Sequence, residues 1–190
     1  MQQEFWDRGY VVIEDLLDPS KLAFLTAAMD VPVPHERERN EDFVFEALDV
    51  YSPYAGEVML RYCRPKIEEA IGRELLETLA YWRTYRTGAK LLKHIDRASY
   101  EVSASITVAT DSEDGPWPIM VQDLQGNERA IELPPGAGVL YQGHKVVHWR
   151  DEFKGASQKQ LFLAYVLKDG EFADHIYDSR GADPLTRDTV

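Results

Sequence analysis

The run Lys93-His94-Ile95-Asp96-Arg97 sets an imidazole and a carboxylate two residues apart. On an extended chain, residues at that spacing project to one face, so both groups can reach a single point in space. A second imidazole, His148, stands 52 residues after Asp96 in Val146-Val147-His148-Trp149-Arg150, a separation that a barrel closes by folding back. Two imidazole nitrogens and one carboxylate oxygen on one face of an octahedral ion leave positions open. That arrangement suits non-haem ferrous iron, which must also take an organic chelate and dioxygen. Each piece alone is weak, because an H-x-D triplet arises by chance and a lone histidine is more often a surface or hydrogen-bonded core residue. Context strengthens the signal: the triplet follows a strand-like run and a glycine turn, and His148 follows a proline-glycine turn and an apolar strand.

These groups need elements to hold them. From Leu79 onward the chain reads as short strands separated by turn signals, the pattern of an all-β sandwich or barrel. The expected strands are Leu79–Tyr85, Lys90–His94, Glu101–Ala109, Ile119–Gln122, Arg129–Leu133, Gly138–Tyr141, Lys145–Trp149 and Lys159–Leu167. In Glu101–Ala109, Val102, Ala104, Ile106 and Val108 share one face while Glu101, Ser103, Ser105 and Thr107 share the other. Residues 1–78 read as mainly helical, with one early strand at Tyr10–Ile13. Asp18-Pro19 supplies an N-cap with proline at the first helical position, so a helix is expected over Ser20–Met29. A second runs from Pro53 through Ala70 and ends near Gly72. Between them Asp30–Asn40, with two prolines and dense charge, reads as an exposed loop whose mobility would bear on substrate access. The tail after Gly170 has few apolar residues and reads as an ordered arm at best.

A chain of 190 residues suffices for one domain with a sizeable core and not for two ordinary ones. Apolar residues at 44% and charged residues at 28% exclude disordered and fibrous classes. No run approaches the roughly 20 apolar residues of a membrane span, and the start lacks a basic segment followed by an apolar one. The single cysteine, Cys63, excludes an intramolecular disulfide and fits a reducing cytoplasm; within a helical run it reads as a small core residue, not a nucleophile. With 21 Lys and Arg against 33 Asp and Glu, the net charge is −12. Such a surface repels phosphate backbones, which argues against nucleic acid and suits a cationic or neutral substrate, although acidity serves solubility first.

The segments YRTGAKLLKHIDRASYEVSASITV, GPWPI, ELPPGAGVLYQGHKVVHWRDEFKG and QLFLAYV together resemble the 2-oxoglutarate and Fe(II)-dependent dioxygenases, in particular their prolyl 4-hydroxylase-like branch. The resemblance spans about 79–166, and FWDRGYVVIEDLLDPSKLAFL is similar to the start of such enzymes. It implies a double-stranded β-helix, a jelly roll with flanking N-terminal helices, and one domain over 1–190 whose barrel core covers about 79–168. It also implies Fe(II) and 2-oxoglutarate as cofactors, with ascorbate as an optional reductant. His94, Asp96 and His148 match the iron ligands. His144 competes for the distal role, but the family pattern of a strand followed by histidine, an aromatic residue and arginine favours His148; His35 and His175 carry no assigned function. Because Asp96 is kept, where related halogenases have a small residue, the resemblance implies hydroxylation of an aliphatic C–H bond with release of succinate and CO2. The substrate class is a small molecule, an amino acid or a peptidyl residue such as proline.

The far carboxylate of 2-oxoglutarate needs a cationic or multiply hydrogen-bonding anchor. The family places arginine or lysine ten or more residues beyond the distal histidine, where this chain has Gln158, Lys159 and Gln160. Strand alternation sets Lys159 on the face opposite the two glutamines. Tyr85, in the Y-x-x-G turn, matches a tyrosine that contacts 2-oxoglutarate in related hydroxylases, and Arg97 is a further candidate; Tyr85 and Arg97 rank ahead of Lys159 and Gln160. Trp117 reads as packing, Trp149 as packing or pocket wall, and Glu101 as a ligand contact or a salt bridge to Arg97. The alternatives are an oxidative nucleic-acid demethylase of the same superfamily, which the charge opposes, and, from another class, a non-catalytic jelly-roll protein that binds a metal or ligand.

Overall fold

The computed structural model describes residues 1–32, 37–41 and 44–180. Helix α1 (Gln2–Arg8) and strand β1 (Tyr10–Ile13) open the chain. The Asp18 carboxylate then accepts the N–H groups of Ser20 and Lys21, two of the donors a helix start leaves orphaned, and nucleates α2 (Pro19–Met29). Strands β2 (Arg37–Glu41) and β3 (Val44–Tyr51) follow, and α3 (Tyr54–Ile71) ends at Gly72 as its sequence signals require. Part of the expected loop Asp30–Asn40 is therefore strand. Charged residues without an apolar period still pair on a sheet edge, because there the backbone ladder and not side-chain burial selects the conformation. His35 and residues 181–190 lie outside the described residues.

The remaining strands are β4 (Leu75–His94), β5 (Val102–Asp111), β6 (Ile119–Gln122), β7 (Glu128–Ile131), β8 (Gly138–Tyr141), β9 (Val147–Arg150) and β10 (Ser157–Leu167). They join in one curled antiparallel sheet of order β1-β8-β5-β10-β4-β9-β6-β7, with β3 added to β4 and β2 to β3. Strand β4 turns the corner: its first part pairs with β10 and β3, and its end pairs with β9. The two strands expected over Leu79–Tyr85 and Lys90–His94 are thus one. Gly88 sits at φ 86° and its N–H is bonded to the Phe153 carbonyl, so the expected turn is a bulge that bends a continuous strand.

The helices cover the outer face. Val102, Ala104, Ile106 and Val108 of β5 join Leu161, Leu163 and Tyr165 of β10 in a core shared with Met59, Leu60, Cys63 and Ile67 of α3. Cys63 is 1% exposed and burial pushes its thiol up to about 12, so packing is its role. The inner face carries three cross-strand rows over β3, β4 and β10: Tyr51-Tyr81-Phe162, Asp49-Arg83-Gln160 and Ala47-Tyr85-Gln158. Among the described residues, no helix is long and apolar enough to cross a membrane.

Candidate metal centre

The register that ends β4 against β9 places His94 directly opposite His148, with ring centroids 4.2 Å apart. Asp96 follows one pleat later, where its N–H is bonded to the Gly143 carbonyl at 2.8 Å. Asp96 Oδ1 lies 3.8 Å from His94 Nε2 and 3.7 Å from His148 Nε2. Donors bound to one ion by bonds of about 2.1 Å stand at most about 4.2 Å apart, and both separations fall within that reach. The ligand atoms of the three residues all lie within 4.8 Å of one another.

Each ring is oriented from behind. His94 Nδ1 faces the Leu92 carbonyl at 2.8 Å and His148 Nδ1 faces the Val146 carbonyl at 3.0 Å. A carbonyl only accepts, so both Nδ1 atoms carry the proton and both Nε2 atoms keep a lone pair for a cation. Burial pulls the His148 imidazole down to about 4; burial, then the neighbouring His148, lowers His94. Burial raises Asp96 to about 6 against the pull of His94, Ser103, Arg83 and Arg97. Neutral imidazoles beside a desolvated carboxylate form a site that a divalent cation satisfies.

The second oxygen of Asp96 is occupied. Ser103 Oγ donates to Oδ2 at 3.1 Å, which leaves Oδ1 as the oxygen that could meet a metal. Gly143 packs against the same carboxylate so closely that a Cβ there would sit 2.7 Å from Asp96 Oδ2 and 2.3 Å from the Tyr100 carbonyl. A cavity of about 250 Å³ opens in front of His94, Asp96 and His148, with Arg83, Arg97, Tyr141 and Arg150 in its wall.

Other expected residues divide. Tyr85 is fully buried on the inner face, where its hydroxyl accepts from Arg83 Nη1 at 3.1 Å and keeps its own proton to donate. Gln160 faces inward but is engaged by Thr107 at 2.9 Å and Ser105 at 3.4 Å. Lys159 points out of the barrel and pairs with Asp30 at the end of α2, because alternation on β10 gives the interior to Gln158 and Gln160. Arg97 lies on the cavity rim in an ion pair with Asp178 at 2.8 Å, so its expected contact with Glu101 is absent; Glu101 accepts the Leu167 N–H instead. His144 sits against Phe172, its ring centroid 5.4 Å away, and outside the ligand cluster. His175 also packs on Phe172. Trp117 packs edge-on to Tyr85, and Trp149 lies on the outer face under the Lys93 ammonium.

The sequence reading missed Arg150, Arg83, Asp49 and Tyr141. Arg150 was detectable, since it lies two residues after His148 and so on the same strand face. The residue is 1% exposed; Nη1 donates to the Trp117 carbonyl, and Nη2 has no hydrogen-bond partner among the described residues. Burial without a carboxylate lowers it to about 10, still charged at neutral pH. Arg83, by contrast, is held bidentately by Asp49 through Nε and through Nη2 at 2.8 Å.

No family model matches the chain, and no curated protein matches it in sequence. Solved structures do match in fold. A Pseudomonas putida prolyl-4-hydroxylase superposes with a TM-score of 0.68 at 14% identity, over 86% of this chain and 95% of that one. A Burkholderia pseudomallei oxidoreductase of the 2OG-Fe(II) oxygenase family gives 0.72 at 13% identity, over 86% and 88%. SnoN, a non-haem α-ketoglutarate-dependent epimerase of nogalamycin biosynthesis, gives 0.70 at 13% identity, over 97% and 91%. The chain has the double-stranded β-helix fold of these oxygenases.

Proposed function

We propose that this chain is an Fe(II)- and 2-oxoglutarate-dependent oxygenase that hydroxylates an aliphatic C–H bond of a small molecule, amino acid or peptidyl residue. The observation that carries this reading is the convergence of His94, Asp96 and His148 beside a buried arginine with an unpartnered nitrogen. When bound, the iron and its co-substrate supply the oxidation, with 2-oxoglutarate and O2 consumed as succinate and CO2 leave and one oxygen enters the product.

The protein's own side chains hold and orient. His94 Nε2, His148 Nε2 and Asp96 Oδ1 would hold the metal from one side, leaving the cavity side open. Arg150 replaces Lys159 as anchor for the far carboxylate, because an orphaned buried guanidinium nitrogen is costly unless an anion meets it. Tyr85, with its hydroxyl polarised by Arg83, would add a donor. Tyr141, kept protonated by burial and by the charge of Asp96, would add another. Apolar side chains such as Leu91, Ile119 and Phe162 keep water from the reacting carbon. At about 250 Å³ the cavity is smaller than the 300–1,000 Å³ usual for whole drug-sized ligands, so a small substrate or one projecting group fits beside the co-substrate.

Anaerobic addition of Fe(II) and 2-oxoglutarate tests the reading. The expected outcome is a weak visible charge-transfer band, absent in His94→Ala, and succinate release on admitting air. Absence of both signals in the native chain would leave a non-catalytic jelly-roll binding protein.

A further inference from the structure

Within the proposed oxygenase reading, on which this inference rests, nearly every charged group in the cavity wall has a task. His94, Asp96 and His148 face the metal, Arg150 the co-substrate, and Arg83 is neutralised by Asp49. Arg97 is left. It directly follows a metal ligand, stands on the rim with 56% of its side chain exposed, and lies 5.0 Å over the Tyr100 ring, which holds it toward the opening. Its Nη2 donates to Asp178 Oδ2 at 2.8 Å.

Asp178 reaches it from the kinked segment Ala173–Ser179. There Tyr177 and Asp178 both adopt left-handed backbone angles, φ 51°, a conformation that disfavours a residue as bulky as tyrosine. The segment is tied down independently on both sides of that contact. Arg61 donates to the Tyr177 hydroxyl at 2.9 Å, and Arg180 holds Ser52 Oγ at 2.7 Å, the Thr78 carbonyl at 2.8 Å and Glu57 at 3.2 Å. Release of the Asp178 side chain therefore leaves the segment docked, since Arg180 also holds the Tyr177 carbonyl through its backbone N–H at 2.9 Å and its Nε at 3.0 Å. We propose that Arg97 is the recognition residue for a carboxylate on the substrate, and that Asp178 fills that place in the free protein.

The substrate is then an aliphatic carboxylate whose hydrocarbon part lies between Leu91, Ile95 and Ile119, over the metal. This sets aside the cationic substrate expected from the net charge of −12. Overall charge acts at long range through screening salt, whereas a bound group answers to the ionic partner it touches. An ion pair as exposed as Arg97–Asp178 contributes little to stability, so one carboxylate replaces another at small cost.

The test uses the anaerobic protein loaded with Fe(II) and saturating 2-oxoglutarate, titrated with butanoate, pentanoate and hexanoate and with the matching amides, read as a shift of the charge-transfer band. The best carboxylate is expected to bind at least about tenfold more tightly than its amide, the scale of one charge-assisted contact. Asp178→Asn should tighten carboxylate binding by roughly threefold or more by removing the internal competitor. Arg97→Gln should erase the preference while keeping the band, and Arg97→Lys should retain part of it. Equal affinity for acid and amide, a preference that survives Arg97→Gln, no gain in Asp178→Asn, or no response to any acid overturns the proposal. Loss of the band on adding an acid would place that acid in the co-substrate's site and overturn it equally. A band that never forms in the loaded native protein removes the oxygenase reading itself, and this inference with it.

Discussion

Ser103 decides which oxygen of Asp96 stays free. By bonding Oδ2 it leaves Oδ1 facing both imidazoles, and Ser103→Ala should weaken Fe(II), Co(II) or Mn(II) binding by about tenfold without unfolding the protein, as loss of an outer partner does elsewhere. Calorimetric titration of the metal reads this directly. Asp96 must be ionised to bind metal and carries a pKa of about 6, so metal affinity should fall about tenfold per pH unit below that value and flatten above it. A flat profile from pH 5 to 7 would remove Asp96 from the site. Arg150→Gln should raise the KM for 2-oxoglutarate by at least about tenfold, the cost of losing a charged hydrogen-bond partner, while Lys159→Ala leaves it unchanged. Initial rates of succinate release check both.

At the scale of elements, strand β4 does most of the positioning. Its inner face carries Tyr81, Arg83 and Tyr85, its bulge bends it from the part of the curled sheet shared with β10 to the part shared with β9, and its end delivers His94 into register with His148. Gly88 sustains that bend at φ 86°, and a Cβ there would meet Glu46 Cγ at 3.9 Å, an ordinary contact, so Gly88→Ala meets backbone strain and no clash. Its expected cost is about 1 kcal/mol of stability. Metal affinity should drop with it if the bend sets the His94 register; urea denaturation paired with a metal titration separates the two effects. Much of this was readable from residue order. The α2 and α3 boundaries follow from Asp18-Pro19 and Gly72, and the inward polar face of β5 follows from strict alternation. Strands β2 and β3 were not readable, because an edge ladder needs no apolar period, and neither was the joining of two expected strands through Gly88.

Across the whole molecule, the metal site and the core make opposite demands. The folded-state pKa of Asp96 lies above its ordinary 3.8, so between 3.8 and about 6 the folded protein binds more protons than the unfolded chain, and the metal-free form loses stability as pH rises through that window. His148 is depressed from 6.5 to about 4, so its contribution is lost as pH falls through that interval. Above pH 6.5 the ionised, desolvated Asp96 remains a net cost that a cation relieves. Metal-free Asp96→Ala should therefore melt no lower than the metal-free native protein at pH 7.5. Metal at a hundred times its Kd should stabilise only the latter, by about 2.7 kcal/mol. Thermal melts with and without Mn(II) or Co(II) distinguish a site kept for function from one kept for structure.

Residue order determined the ligand types, their two-residue spacing, the strand faces and most helix ends, because those depend on local backbone periodicity and capping. Only the tertiary structure decided the rest. The pairing of β4 with β9 brings His148 rather than His144 to Asp96, and alternation on β10 turns Lys159 out to Asp30. Packing behind Trp117 leaves Arg150 buried with a nitrogen unpaired, and the chain's return past α3 sets Asp178 on Arg97. Each is a contact between segments far apart in sequence, set by which surfaces must be buried together. No local spacing encodes that.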